Sequence, residues 1–426
     1  MKQPQAMYCM MVVALFFSGA SLRAEEPMTW QDCVLHAKKR NPELVSAREK
    51  IMQADAQKRI VGSALWPQFI GNAIPYQTSA SGLKANANDT YQYGVTASQL
   101  LFDGFKTWNS TNAEAEKIRS AAYNYDVVSS NVRLNLRQAF VELMRAQEFL
   151  TIASEIMEIR KQDSDLINMR YKAGREHMGA LLTAYANQAQ AEKDVVQAGR
   201  NIGLAQRRLT KTLGESKLIR MNAVGDFRVK DPALERPAFE PMAESIPFLQ
   251  EIMARKESAK YSLKAAKAEF FPQVFAKASF NETADYLMPD QSGWMAGVSV
   301  NWPIFQGGLR IGDVDKAKAV LEQLRADEKS GRDGVILTLE DTWTKFQNAM
   351  ENEKVTEKFL EAAAERSKIS NAQYSIGLMS FDNWIIIEDN LVKAKQAVLD
   401  AKAAMLVAEA NWIQAKGGTL ETDNPQ

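Results

Sequence analysis

This 426-residue chain carries two histidines and two cysteines among its many carboxylates and hydroxyls, and that is a thin basis for chemistry. His36 and His177 stand far apart with no cysteine beside them. They form neither a metal-ligand spacing nor the base of a nucleophile pair. No nucleophile elbow and no phosphate-cradling glycine loop occurs. Lysine plus arginine and aspartate plus glutamate balance at 52 each, so there is no polycation to hold nucleic acid. The expectation is no catalytic activity, no cofactor and no metal, with both histidines as surface or packing residues.

What the residues must position is therefore not a reacting group. "QLLFDGFK" at Gln99–Lys106 has a cousin, "PIFQGGLR", at Pro303–Arg310, with Phe102 on Phe305 and Gly104 on Gly307 at a displacement of 203. The same shift relates Gly94 to Gly297, Tyr171 to Tyr374, Gly174 to Gly377 and Gly214 to Gly417. Upstream the shift is 205, carrying Pro42 onto Pro247, Leu44 onto Leu249 and Pro67 onto Pro272. A register held this long is an internal duplication, and it governs the architecture before any local reading.

The N-terminus has a basic start, an apolar run from Met10 to Phe17 and small residues after it. That is the form of a secretory leader, cleaved after Ala24 or Ala20. Cys9 sits at the front of the apolar run, which leaves Cys33 as a lone cysteine that cannot close an intrachain disulfide. Downstream no stretch of about 18 apolar residues appears, so an exported chain like this is either soluble or enters a membrane as a β-barrel.

Proline is missing from Tyr76 to Asp231 and from Ile304 to Asn424, as long helices require. The glycine-free stretch Phe105–Ala173 is rich in helix formers, and Leu136, Leu143, Leu150 and Met157 recur every seven residues as a packing stripe. Such a helix is roughly 100 Å long. Gly174 stops it, and a second helix over Met178–Leu213 ends at Gly214. The second half repeats this over Gly308–Ile376 and Phe381–Lys416, with a bend or local weakening expected at Gly331 and Gly334. A shorter helix opens each half, near Thr29–Gly62 and Met242–Glu269.

Between the short and long helices the period changes to two. Tyr91, Tyr93, Val95 and Ala97 alternate with Gln92, Gly94, Thr96 and Ser98. Trp294, Ala296, Val298, Val300 and Trp302 alternate with Met295, Gly297, Ser299 and Asn301. Each run follows another candidate strand, Gln68–Tyr76 or Gln273–Asn281, so each half supplies one hairpin. An apolar outward face with aromatic ends is the mark of a tilted membrane strand, which makes Tyr91, Tyr93, Val95, Trp294, Val298, Val300 and Trp302 the lipid-facing set. Two hairpins leave open edges that hydrocarbon cannot satisfy, so identical chains must complete the barrel.

The plan resembles the outer membrane efflux protein family, the TolC-like channels. Its carriers are "LFDGF" and "IFQGG" at the strand-to-helix junctions (Phe102, Gly104, Phe305, Gly307), "RYKAG" and "QYSIG" at the far turns, and the duplication itself. The resemblance implies a mainly α homotrimer with membrane β-structure: a twelve-stranded outer-membrane barrel, four strands per chain, continued by an α-helical tunnel across the periplasm. It implies a leader at 1–24, repeats at 25–215 and 241–417, an equatorial linker at 216–240 and a tail at 418–426. It also implies a passive exit duct for a tripartite efflux pump or a type I secretion system, with outer membrane lipid around it. The partners are a periplasmic adaptor and an inner-membrane transporter. The far turns become a periplasmic tip that opens on docking, with Tyr171, Gly174, Tyr374, Gly377 and Asp382 as gate or docking candidates. The family's latch arginine falls on Met379, so that contact is expected to be missing. Asp382 in three copies would form an acidic, cation-favouring ring. The alternative is a non-conducting periplasmic coiled-coil protein or adhesin, which has no use for apolar outward strand faces. The transported substrate is not legible in the chain.

Overall fold

The computed structural model describes residues 26–79, 87–229, 235–284 and 291–422. The expected leader and its cleavage sites lie outside them. The order is β1 (Glu26–Met28), α1 (Trp30–Arg40), α2 (Pro42–Gly62), β2 (Gln68–Ser79), β3 (Ala87–Phe102), α3 (Lys106–Lys172), α4 (Met178–Thr212) and β4 (Met221–Ala223). Then come α5 (Phe239–Glu244), α6 (Pro247–Ala268), β5 (Gln273–Ala284), β6 (Gln291–Asn301), α7 (Leu309–Ser375) and α8 (Phe381–Ala415). The long helices α3 and α7 have 67 residues each, and α4 and α8 have 35 each, so the duplication holds to the residue in three dimensions.

Each opening helix is split where one was expected. Asn41 takes an extended ψ of 121°, and its side chain caps α2 by accepting from the Glu43 amide at 2.9 Å. Ile246 takes the same extended backbone at ψ 129°, with no side-chain cap, ahead of Pro247. A residue before proline is driven out of the α region, while proline itself suits the first helical turn. Both breaks receive the end of a late helix of the same repeat. A Cβ on Gly214 would meet the Arg40 carbonyl, and one on Gly417 would meet Pro247.

The seven-residue stripe on α3 also differs from expectation. Leu136 and Leu143 are fully buried, but Leu150 and Met157 are half-buried. The buried row is Val132, Ala139, Ala146, Ala153, Arg160 and Ile167. Opposite it α4 buries Ala184, Ala191, Ala198 and Ala205 at the same spacing. Methyl side chains let two helix backbones approach closely over their whole length, so the hairpin is held by an alanine seam where leucines were expected. Near mid-length β1 pairs parallel with β4, and the core there holds Cys33, Leu44, Phe140, Leu209 and Leu420. This core ties the inter-repeat linker and C-terminal tail to the first repeat. Cys33 is wholly buried, and burial pushes its thiol up to about 12, so it is inert as a nucleophile.

The helix α7 runs through Gly331 and Gly334 without interruption, contrary to the expected weakening. Gly331 is a packing residue: a Cβ there would lie 2.8 Å from Ile252 Cδ1 on α6. The equivalent pair in the first repeat is Val128 and Ala47, so bulk has changed sides while the sum is kept. Gly331→Val is therefore expected to overpack this contact and destabilise by about 1–3 kcal/mol. Adding Ile252→Ala should recover most of the loss. Thermal unfolding of the detergent-solubilised variants measures both, and an uncompensated double variant would contradict the packing role.

Candidate functional site

The two hairpins form one antiparallel sheet in the order β2-β3-β5-β6, with β2 and β6 at its edges. Directly paired residues share a face. Val95 pairs with Gly71 and Phe280, and Phe280 pairs with Trp294. Tyr93 pairs with Ala73, Ala278 with Ala296, and Val298 and Val300 with Ala276 and Val274. One face is thus mainly apolar, with Gln99, Glu282 and Ser292 among its members. The other is mixed: it carries Asn72, Gln92, Thr96, Ser98, Lys277, Ser279, Asn281 and Ser299, together with Ile70, Ile74, Phe275 and Met295. Trp294, Val298 and Val300 are exposed at 80%, 66% and 64%, and Val95 at 52%, a level that water would penalise and hydrocarbon would not. Tyr91 and Tyr93 are half-buried, and Trp302 lies just past β6, its indole N–H donating to the Phe270 carbonyl at 3.2 Å. On the polar face Gly94 sits between Asn72 and Asn281, where a Cβ would fall 2.2 Å from the Asn281 amide oxygen.

At the first junction the β3–β5 register slips between Leu100 and Phe102, and Phe102 pairs with Val274. That bulge moves Phe102 onto the apolar face. Gly104 and Phe105 then take left-handed φ values of 69° and 66°, and Gly307 and Gly308 take 62° and 90° at the second junction. Two successive residues of this kind turn a strand into a helix, and glycine bears the conformation without cost. Phe105 bears it as a non-glycine, packed edge-on against Phe102 at 5.9 Å. Asp103 is buried beside it and accepts from the Thr107 amide at 2.8 Å, capping α3.

At the far end α3 and α7 stop at Gly174 and Gly377, both with positive φ. The amides of Arg175 and Leu378 close back on the Arg170 and Gln373 carbonyls at 2.8 and 2.9 Å. His177 accepts from the Ala180 amide at 3.1 Å, so it is the N-cap of α4. The two turns meet around Tyr374, which is 2% exposed. Its hydroxyl donates to Glu176 at 2.6 Å, and its ring stacks on Trp384 at 4.5 Å. Arg170 lies 4.5 Å over the same ring and donates to the Tyr374 carbonyl at 3.0 Å. Burial, then the Glu176 carboxylate, raise the Tyr374 phenol above its ordinary range, so it stays a donor. Trp384 donates to Asn371 at 2.6 Å, and Ile167, Leu181 and Phe381 complete the cluster. Tyr171, the repeat partner of Tyr374, is 38% exposed, and Asp382 is exposed in the first turn of α8.

The outer membrane efflux protein family model matches residues 34–215 and 242–418, which is both repeats. The chain belongs to the outer membrane efflux protein family. It is 25% identical over 386 residues to the outer membrane efflux protein BepC of Brucella suis, covering 86% of this chain and 79% of that one. The fold matches the channel CusC with a TM-score of 0.83, at 19% identity and 91% coverage of both chains. It also matches the outer membrane channel CmeC of Campylobacter jejuni at 0.81, with 18% identity, covering all of this chain and 95% of that one. As a member of the family the chain is an outer membrane efflux channel that extends into the periplasm, and a passive conduit without enzymatic activity.

One buried charge group of this efflux channel was missed in the sequence. Arg160, 5% exposed, sits 2.5 Å from Asp389 on α8 and 3.5 Å from Asp163. Nearby Glu388 is buried and accepts from Ser367 at 2.6 Å. The available signal was a charge in the otherwise apolar seven-residue row. Burial pushes Asp163 up to about 6, with Arg160 opposing the shift and Glu388 adding to it. Because this pKa lies above its ordinary 3.8, the proton favours the folded state. That stabilisation is complete below about pH 4 and is lost as pH rises through about 6. Asp163→Asn should therefore gain on the wild type as pH climbs from 5 to 7.5. Melting curves in detergent test this; a constant offset between the two across that window would refute it.

Proposed function

We propose that three copies join their sheets edge to edge into a twelve-stranded barrel, and that α3, α4, α7 and α8 continue it as the tunnel. The observation that carries this reading is the sheet itself: among the described residues it has four antiparallel strands, one mainly apolar face, one more polar face, and two edges without a partner strand. Lipid cannot satisfy those edges, and an even number of strands closes the ring in antiparallel order. The apolar face then meets outer membrane lipid, while the polar face lines the lumen.

At the tip, Tyr374 held by Arg170 and Glu176 keeps the two helix turns of one chain together. We assign this cluster as the closure that a periplasmic adaptor releases on docking against the turns at Gly174 and Gly377. An inner-membrane transporter supplies energy and selects the cargo. Asp382 is exposed on α8, and in this reading its three copies form an acidic ring that favours cations at the mouth.

Conductance in planar bilayers tests the reading. Wild-type trimers should conduct little, and Arg170→Ala or Tyr374→Phe should raise conductance several-fold by loosening the tip. A folded trimer that never conducts, in either variant, would favour the non-conducting structural protein instead.

A further inference from the structure

The two strand-to-helix junctions share one plan but differ in charge and in aromatic surface. At the second, the Trp302 indole N–H donates to the Phe270 carbonyl at 3.2 Å, and Trp302 is 59% exposed. The Arg310 guanidinium lies 5.9 Å over the Phe270 ring. Lys267 is exposed in the last turn of α6, three residues before that ring. At the first junction the displacements of 203 and 205 put Gln99 for Trp302, Thr107 for Arg310, Leu65 for Phe270 and Gly62 for Lys267. The hydrogen bond persists there, with Gln99 donating to the Leu65 carbonyl at 3.0 Å. The fold therefore requires the bond, and not the indole, the ring or the two cations.

We propose that Trp302, Phe270, Arg310 and Lys267 form a seat for the phosphate of an anionic phospholipid in the periplasmic leaflet, one seat per chain. The proposal rests on the barrel reading above, which turns the face of Val298 and Val300 toward lipid, and it names the lipid met at the rim of that face.

Three observations carry it. The first is depth. Trp302 continues the alternation of Val298 and Val300 at the helix end of β6, so it stands where hydrocarbon gives way to headgroups. Indole rings favour that level, and cations just beyond it attract anionic lipid. The second is charge. Glu269 pairs with Lys106 at 2.8 Å, and Asp313 stands a turn farther from the sheet on α7. Among the described residues no ion pair holds Arg310 or Lys267. The first junction instead carries its own carboxylate: Asp103 accepts from the Thr107 amide and hydroxyl at 2.8 and 2.5 Å. Its counterpart in the second repeat, Gln306, is neutral. One junction thus contains its anion, and the other offers two cations. The third is form. A guanidinium resting on an aromatic ring is supported by it and keeps N–H donors for a phosphate. The second cation disfavours a zwitterionic headgroup, whose own ammonium it repels.

Native mass spectrometry of the full-length trimer in detergent tests the seat. Added phosphatidylglycerol should be retained well above phosphatidylcholine with the same acyl chains. Arg310→Thr and Lys267→Gln should each weaken that retention about fivefold, the effect of one cation at a headgroup surface. Arg310→Lys should keep most of it. Trp302→Gln, which copies the first repeat, should lower retention of both lipids alike. Inorganic phosphate should not displace the lipid. Equal retention of the two lipids by the wild type, or unchanged phosphatidylglycerol retention in both cation variants, overturns the seat. Displacement by phosphate alone makes it a free-anion site and overturns the lipid assignment. Lys267 is exposed, so its variant reports even where Arg310→Thr fails to fold. A trimer that conducts but shows no lipid preference overturns the seat alone; a monomer in detergent overturns the barrel reading and the seat with it.

Discussion

Hydrocarbon offers no hydrogen bonds, and the organisation of this chain follows from that constraint. Every backbone group at membrane depth needs a partner from protein. Strands satisfy this only by lying beside other strands, and the described residues supply one sheet of four. The alternation of side chains suits that constraint: one mainly apolar face and one more polar face, with Gly94 leaving room where Asn72 and Asn281 converge. Below the membrane water is available again, and the backbone turns inward on itself as helix. The paired left-handed residues at Gly104–Phe105 and Gly307–Gly308 mark where one solution gives way to the other.

Helices of 67 residues have no compact core to lie on, so their stability is distributed along seams. The alanine row of α4 against α3 is one, and the Gly331–Ile252 contact between α7 and α6 is another. At mid-length the β1–β4 pair and the tail gather the linker around Cys33 and Leu420. Tyr125 and Ser129 donate to Glu421 at 3.1 and 2.6 Å, pinning that tail to α3.

Features repeated at a fixed displacement were legible in the sequence: both hairpins, the four glycine stops, the long helices and the family. Period-two and helix-forming patterns reflect local physics and survive without coordinates. The helix breaks at Asn41–Pro42 and Ile246–Pro247 were also readable from proline chemistry, yet the surrounding helical composition masked them. Less accessible were contacts between repeats. Nothing local tells that Tyr374 is buried while Tyr171 is half-open, because the difference lies in which repeat's turn covers which. Arg160 was hidden for a related reason: its partner Asp389 is 229 residues away, and only the packing of α8 beside α3 brings them together. Gly331 looked like a flaw in a helix until Ile252 filled the space.

The tip clusters carry one more implication. Arg170 and Glu176, which grip Tyr374, correspond in the second repeat to Gln373 and Met379. A closed circle of six near-equal repeats would therefore alternate between charged clasps inside each chain and uncharged joints between chains. Such a circle is held tightest at three of its six contacts, so its mouth would widen as a three-cornered iris only once those clasps let go.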